Sequence, residues 1–239
     1  VEKRPDVVLF VNGLPLVVFE LKTAADEKVS IKSAYRQIKN YQKAISNLFV
    51  YNAFNVISDG LHAQAGTLTS NEDRYMTWRT IDGDVIASNK EPQLETLIKG
   101  MFEPRRFLDI IKQFILFERD GHNYRKILAA YHQYHAVNVA LEKTYEASAV
   151  EGDRRIGVVW HTQGSGKSLS MVFYAGKLVL SHEMSNPTSV VSTDRNELDG
   201  QLYGAFAKTQ DLLLSIPVQA ETRMPLRELL DGRDSGGFI

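Results

Sequence analysis

The sequence predicts an α/β protein in two parts: a mixed sheet led by a β-hairpin, then the beginning of a parallel sheet that carries a phosphate-binding loop. Three observations predict it. Two apolar, β-branched runs, Val7 to Val11 and Leu16 to Leu21, flank Asn12-Gly13, the strongest short hairpin signal. An apolar run from Ile156 to Trp160 meets a glycine loop at 161–166 and then a helical pattern through Leu180. A second apolar run, Thr188 to Thr193, precedes a helix from about Glu197, which is the βαβα order of parallel strands.

The chain has 239 residues, enough for one large domain or two small ones. Its 28 Lys and Arg nearly cancel 29 Asp and Glu, for a formal charge of -1, so any nucleic-acid contact has to come from local patches. The absence of cysteine excludes disulfide scaffolds, cysteine nucleophiles and thiolate zinc sites. No apolar run approaches the ~18 residues of a membrane span and no signal peptide opens the chain, which reads as soluble and cytoplasmic. It opens without Met, and it closes on Phe238-Ile239, which reads as a strand cut short, so a piece of a larger protein is expected.

Into the apolar hairpin fall three charges, Asp6, Glu20 and Lys22. Glu20 and Lys22 alternate onto one face of their strand. A plain two-residue loop at Asn12-Gly13 would pair Val11 with Leu14, oppose Asp6 to Phe19 and turn Asp6 away from Glu20. A three-residue loop or one bulge would bring Asp6 opposite or diagonal to Glu20. Converging carboxylates call for a cation, and oxygen ligands favour Mg²⁺. Such an ion polarises a phosphate and activates water, and a lysine beside it orients that water. The bland alternative is a Lys22 and Glu20 ion pair beside an unrelated Asp6.

Ile31, Ala34, Ile38, Tyr41 and Ile45 recur at helical spacing over about Val29 to Ser46. Gln37 and Tyr41 share a flank of that helix within reach of the hairpin. Lys32, Arg36, Lys39 and Lys43 form a cationic stripe, read as a solvated face, with a grip on a phosphate backbone as the functional alternative. Short strands are expected at Ala53 to Ser58, Gly66 to Thr69 and Arg74 to Thr80. Tyr75, Met76 and Trp78 read as core rather than as a stacking surface for bases.

Pro92 and Pro104 bracket a short helix, Arg105 to Phe117 is a second helical stripe, and a longer one spans His122 to Ala147. The division falls near residues 90 to 105, giving domains 1–95 and 96–239. His132 and His135 lack a third ligand and read as ordinary histidines. The strongest local signal follows: in His161-Thr162-Gln163-Gly164-Ser165-Gly166-Lys167-Ser168 the glycines admit close backbone approach and the helix N-terminus holds phosphates. Lys167 reaches the outer phosphates and Ser168 can ligate Mg²⁺. The full phosphate-loop pattern wants glycine where His161 stands.

These residues resemble a known family. Pro5-Asp6, Glu20-Leu21-Lys22 and the Gln37/Tyr41 pair, with Asn12-Gly13-Leu14-Pro15-Leu16 and Ile57-Ser58-Asp59-Gly60, are similar to the PD-(D/E)xK nuclease core of the restriction subunit of type I restriction enzymes. The resemblance implies that Asp6 and Glu20 are metal ligands, Lys22 the catalytic lysine, and Gln37 with Tyr41 an auxiliary motif. Trp160 to Ser168 resembles motif I of superfamily 2 translocases in the same subunit, with His161 a family variation. The resemblance makes Thr162, Gln163, Gly164, Ser165, Gly166, Lys167 and Ser168 nucleotide contacts, Gln133 the adenine reader, and Thr193-Asp194-Arg195 the next motif, near DNA backbone. A nuclease domain incomplete at its N-terminus, followed by a RecA-like motor domain incomplete at its C-terminus, is the expectation.

The function implied is ATP-dependent translocation along double-stranded DNA coupled to Mg²⁺-dependent cleavage, with modification and specificity subunits as partners. A repair helicase with a fused nuclease would use the same residues. A non-catalytic DNA-binding assembly module is the reading from another class, and the intact Asp6, Glu20, Lys22 and Lys167-Ser168 weigh against it.

Overall fold

Asn12 and Gly13 both take left-handed backbone angles, φ 50° and 79°, as a two-residue type I′ loop requires. In the computed structural model, which describes residues 2–23, 30–88, 91–194, 196–220, 222–231 and 235–239, this loop joins β1 (Val7–Val11) to β2 (Leu14–Leu21) with Val11 opposite Leu14. Phe10 then faces Pro15, but Leu9 faces Val17, so Leu16 is the extra residue of a bulge. Its carbonyl accepts from the Ala53 amide at 2.7 Å, which guides the chain into β3 (Phe54–Ser58).

The first of two compact units comprises residues 1–115 and 125–132. Its sheet has the order β1-β2-β3-β4, with β4 at Ala63–Gly66. β2 and β3 run parallel and the other pairs antiparallel, so the sheet is mixed. One face is covered by α1 (Ile31–Ala44), where Val18, Ala34, Ile38, Tyr41, Phe49, Ile57 and Tyr75 form a buried cluster. On the other face Phe19 and Phe54 meet Phe102 at 5.3 and 5.7 Å, and Phe102 stacks on Phe107 at 5.3 Å. Those rings are carried by α2 (Gln93–Met101) with its C-cap Phe102, and by α3 (Pro104–Gln113). Glu103 caps α3 by accepting from the Arg105 and Arg106 amides, with Pro104 where no N–H is needed.

Two sheet expectations need correction. The fourth strand precedes Thr67, and Thr67 to Ser70 forms a turn closed by the Ser70 amide on the Thr67 carbonyl. Arg74 to Thr80 contributes one bridge, Met76 to Ala65, rather than a strand. Tyr75 and Trp78 are buried, as core residues should be. The helix expected from His122 is likewise shorter. Residues Ile115–Asp120 (β5) and Asn123–Leu128 (β6) pair as a two-stranded sheet, and α4 runs over Tyr131–Ser148.

The second unit, residues 116–124 and 133–239, is mainly helical. α5 (Lys167–Val179) is fixed to α4 by polar bonds in a shielded setting: Lys177 Nζ donates to Asn138 Oδ1 at 2.7 Å, and the Thr144 and Tyr174 hydroxyls lie 2.6 Å apart. Helices α6 (Asn196–Ala207), α7 (Gln210–Leu213) and α8 (Arg223–Leu230) follow. The strand expected at Ile156 to Trp160 is not formed: among the described residues no strand partner pairs with it, and Val158 and Trp160 are each 90% exposed. Residues 188–193 make one parallel bridge, Ser189 to Phe238, continued by the Val191 amide on the Ile239 carbonyl at 2.8 Å. Arg195 and the expected first residue of α1, Val29, lie outside the described residues. No helix among the described residues is long and apolar enough to cross a membrane.

Candidate functional site

With Val7 opposite Phe19, the next residue outward, Asp6, stands opposite Glu20 and on its face of the sheet. The bulge at Leu16 therefore supplies the register that the sequence demanded, while the turn itself stays at two residues. Asp6 Oδ2 accepts from the Leu21 amide at 2.8 Å, and Lys22 Nζ donates to Glu20 Oε1. Glu20 is 1% exposed, and its Oε2 is buried without a hydrogen-bond donor. From α1 above, the Tyr41 hydroxyl donates to the Arg4 carbonyl at 3.0 Å. All five hairpin-site residues meet here, because the Tyr41 phenol is also hydrogen-bonded by Gln37 and feels the charges of Glu20 and Asp6.

The electrostatics follow from this crowding. The hydrogen bond to Glu20 holds the Lys22 ammonium above its ordinary range, against the opposing effect of partial burial. Burial lifts the Tyr41 phenol; the bond with Gln37 opposes the rise and the two carboxylates add to it. A buried carboxylate oxygen with no donor is costly unless a cation or proton meets it. The donor set thus fits a hard divalent cation. Among the described residues no three of His, Cys, Asp or Glu gather, so Asp6 and Glu20 are the two carboxylates on offer to such an ion.

The cationic stripe of α1 does not act as one surface. Lys39 Nζ turns in to the Leu68 carbonyl at 2.7 Å and Lys32 pairs with Glu72 at 3.6 Å, while Arg36 and Lys43 stay exposed. The backbone partners of Asp6 and Tyr41, Leu21 N and Arg4 O, are the parts of the site that no residue pattern could reveal.

In the second unit the loop expected at 161–166 ends on Gly166, which has φ 79° and N-caps α5. The left-handed angle favours glycine, and the Gln133 amide sits where a Cβ would go, 2.7 Å away. Gln133, buried on α4, donates Nε2 to the Gly166 carbonyl at 3.1 Å. The Ser165 amide closes a turn on the Thr162 carbonyl, Gln163 and Gly164 form its exposed tip, and Lys167 Nζ donates to the His161 and Thr162 carbonyls at 3.2 and 3.0 Å. Ser168 is the second residue of α5. The free amides of a helix N-terminus, a flexible ammonium and a hydroxyl are suited to hold an anion with its metal.

Comparison with known proteins agrees with both halves. Residues 1–74 match the family model of the type I restriction enzyme R protein N terminus, and residues 132–239 match that of the SWI2/SNF2 ATPase. The class is therefore a restriction-enzyme R protein domain followed by an ATPase domain. The chain is 48% identical over 242 residues to the type I restriction enzyme HindI endonuclease subunit of Haemophilus influenzae, with all of this chain and 23% of that protein covered. It is 34% identical over 256 residues to the putative type I restriction enzyme MjaIXP endonuclease subunit of Methanocaldococcus jannaschii, covering 99% of this chain and 24% of that protein. The chain belongs to the family of type I restriction enzyme endonuclease subunits, and it spans about a quarter of the length of these relatives.

Proposed function

We propose that the first unit carries the cutting site, and the second the beginning of the parallel-sheet motor domain, of an ATP-dependent type I restriction endonuclease. The observation that supports it most is the convergence of Asp6 and Glu20 beside Lys22, with one buried carboxylate oxygen lacking a donor. Asp6 and Glu20 are the groups to hold Mg²⁺, which when bound supplies a Lewis acid and an activated water. Lys22, kept cationic by Glu20, orients the attacking water and offsets charge developing on the phosphate. Gln37 and Tyr41 steady the carboxylates from α1.

In the second unit the amides of Thr162, Gln163, Gly164, Ser165 and Gly166 cradle the phosphates of ATP. Lys167 leaves its two loop carbonyls to meet the outer phosphates, and Ser168 takes the accompanying Mg²⁺. We assign Gln133 two tasks, steadying the Gly166 turn and reading adenine. The whole enzyme acts in the cytoplasm on unmodified double-stranded DNA, with modification and specificity subunits supplying recognition. ATP-dependent cleavage of circular DNA by the full-length parent with those subunits tests this; cutting that needs neither ATP nor Asp6 would overturn it.

A further inference from the structure

The turn between β3 and β4 holds a second polar group on the face of the cutting site. The Lys22 amide donates to the Ser58 carbonyl at 2.8 Å, which extends the parallel register by one step and sets Lys22 beside Asp59. Across the hairpin the Asp59 amide donates to the His62 carbonyl at 3.2 Å. Asp6, Glu20, Ile57 and Gln64 thus form one row across the sheet, and Lys22, Asp59 and His62 form the next row out on the same face. Strands about 4.8 Å apart put His62 about 10 Å from Lys22. That is too far to share a scissile phosphate and close enough for a neighbouring phosphate of the same strand, where phosphates rise by about 3.4 Å each.

The pair is built to aim one nitrogen. Asp59 accepts from the Leu61 amide at 3.1 Å, the His62 amide at 2.8 Å and the His62 ring at Nδ1, 3.1 Å. The turn is anchored on both sides, by Ser58 Oγ on the His62 carbonyl at 2.8 Å and by the Gln93 amide on the Leu61 carbonyl at 3.0 Å. The Asp59 side chain is 18% exposed and that of His62 59%. With Nδ1 engaged by the shielded carboxylate, Nε2 is the ring atom left to meet a ligand. Partial burial pushes the Asp59 carboxyl up, but the bonds from His62 and Leu61 outweigh it and hold the group below its usual range. A contact to so exposed a histidine adds little to stability, so folding alone gives the pair little purpose.

We propose that His62 binds a DNA phosphate next to the scissile one through Nε2, and that Asp59 is its positioning residue. This rests on the nuclease reading of the Asp6 and Glu20 site. It is tested with the 239-residue chain and a fluorescein-labelled duplex of about 20 base pairs, by anisotropy between about 50 and 200 mM salt with Ca²⁺ as the divalent ion. His62→Ala leaves the backbone bonds to Asp59 in place. It should weaken binding roughly 3- to 10-fold and lower the slope of log affinity against log salt by about 0.9, the share of one phosphate. His62→Arg should restore the slope. Asp59→Asn should weaken binding about threefold although it removes a negative charge, because the ring loses its anchor. Unchanged affinity and slope in His62→Ala, no duplex binding by the wild-type chain, or tighter binding by Asp59→Asn would each overturn the assignment. The nuclease reading is judged apart from this, by whether Asp6 is needed for cleavage.

Discussion

Asp6 accepts a hydrogen bond from the Leu21 amide at 2.8 Å, the amide that lies between Glu20 and Lys22. The residue that completes the carboxylate pair is therefore pinned by the backbone of the strand bearing the other two charges. Asp6→Asn keeps an acceptor for that amide and removes only the charge. It should leave the hairpin intact, lower DNA cleavage by the full-length enzyme at least about 100-fold, and leave ATP hydrolysis unchanged. Joint loss of both activities would show that the substitution unfolds the subunit.

Gln133 and Gly166 give a second, separable prediction. In Gln133→Ala the Gly166 carbonyl loses a donor, worth about 3- to 10-fold in ATP affinity, and the proposed adenine contact would be lost with it. GTP binding should fall less than ATP binding, through the loop alone. Calorimetric titration of both nucleotides decides. An equal fall leaves Gln133 only its loop task, and no fall for GTP leaves only the adenine contact.

The elements legible in the sequence are those whose stabilising partners are near in the chain. The Asn12-Gly13 turn, α1 and the glycine loop rest on backbone angles and periodicity that a short window contains. The need for a bulge followed from the spacing of Asp6 and Glu20, but its place at Leu16 depends on Pro15 and on the distant Ala53 amide. Asp120-Gly121 carried a hairpin signal that the helical spacing of Ile127, Leu128 and Tyr131 masked, because a strand and a helix share apolar positions over so short a run. Ile156 to Trp160 reads as a strand by composition, yet a strand exists only where a neighbour pairs with it, and the described residues give it none. The Asp59 and His62 pair was invisible for a related reason: its value lies in register with Lys22, 37 positions before Asp59 in the chain.

Stability should rise with pH between about 8 and 10. Burial pushes the Lys126 ammonium, which donates to the Asn52 carbonyl, from 10.5 down to about 8, and burial lowers Lys39 as well. In that window the unfolded chain binds more protons than the folded one, so raising pH favours folding. The contribution of Lys126 is about 1 to 2 kcal/mol after allowing for its partial exposure. Above about 10 the trend reverses, since burial holds the Tyr75 phenol protonated while the unfolded chain ionises. Urea midpoints at three pH values should show the rise, and Lys126→Met should flatten it.

Gly100 sits inside α2, where alanine would ordinarily stabilise a helix by about 1 kcal/mol. Here a Cβ would overlap the Trp78 ring and lie 2.5 Å from the Thr80 carbonyl oxygen. Overpacking against backbone costs about 1 to 3 kcal/mol, which exceeds the helix gain. Gly100→Ala should therefore lower stability by about 1 kcal/mol, read as a lower urea midpoint at constant slope. A higher midpoint would mean that the Trp78 segment yields.

Lys167 tests the link between the two units. Its Nζ rests on the His161 and Thr162 carbonyls, so removing it deprives the loop of a cation without disturbing the Gly166 cap or the Gln133 bond. In the full-length enzyme Lys167→Ala should lower ATP turnover at least about 100-fold, because the charge building on the transferred phosphate would lose the cation that this loop carries. Every hairpin-site residue is left intact, so a nuclease acting on its own would still cut. If cutting waits on translocation, circular DNA should stay closed with this variant, as with Asp6→Asn, while the two differ in phosphate release. Mixing the two variants then separates the possibilities further. Cleavage restored by the mixture would show that one subunit can move DNA for another to cut, whereas no cleavage would require motor and nuclease to be competent in the same chain.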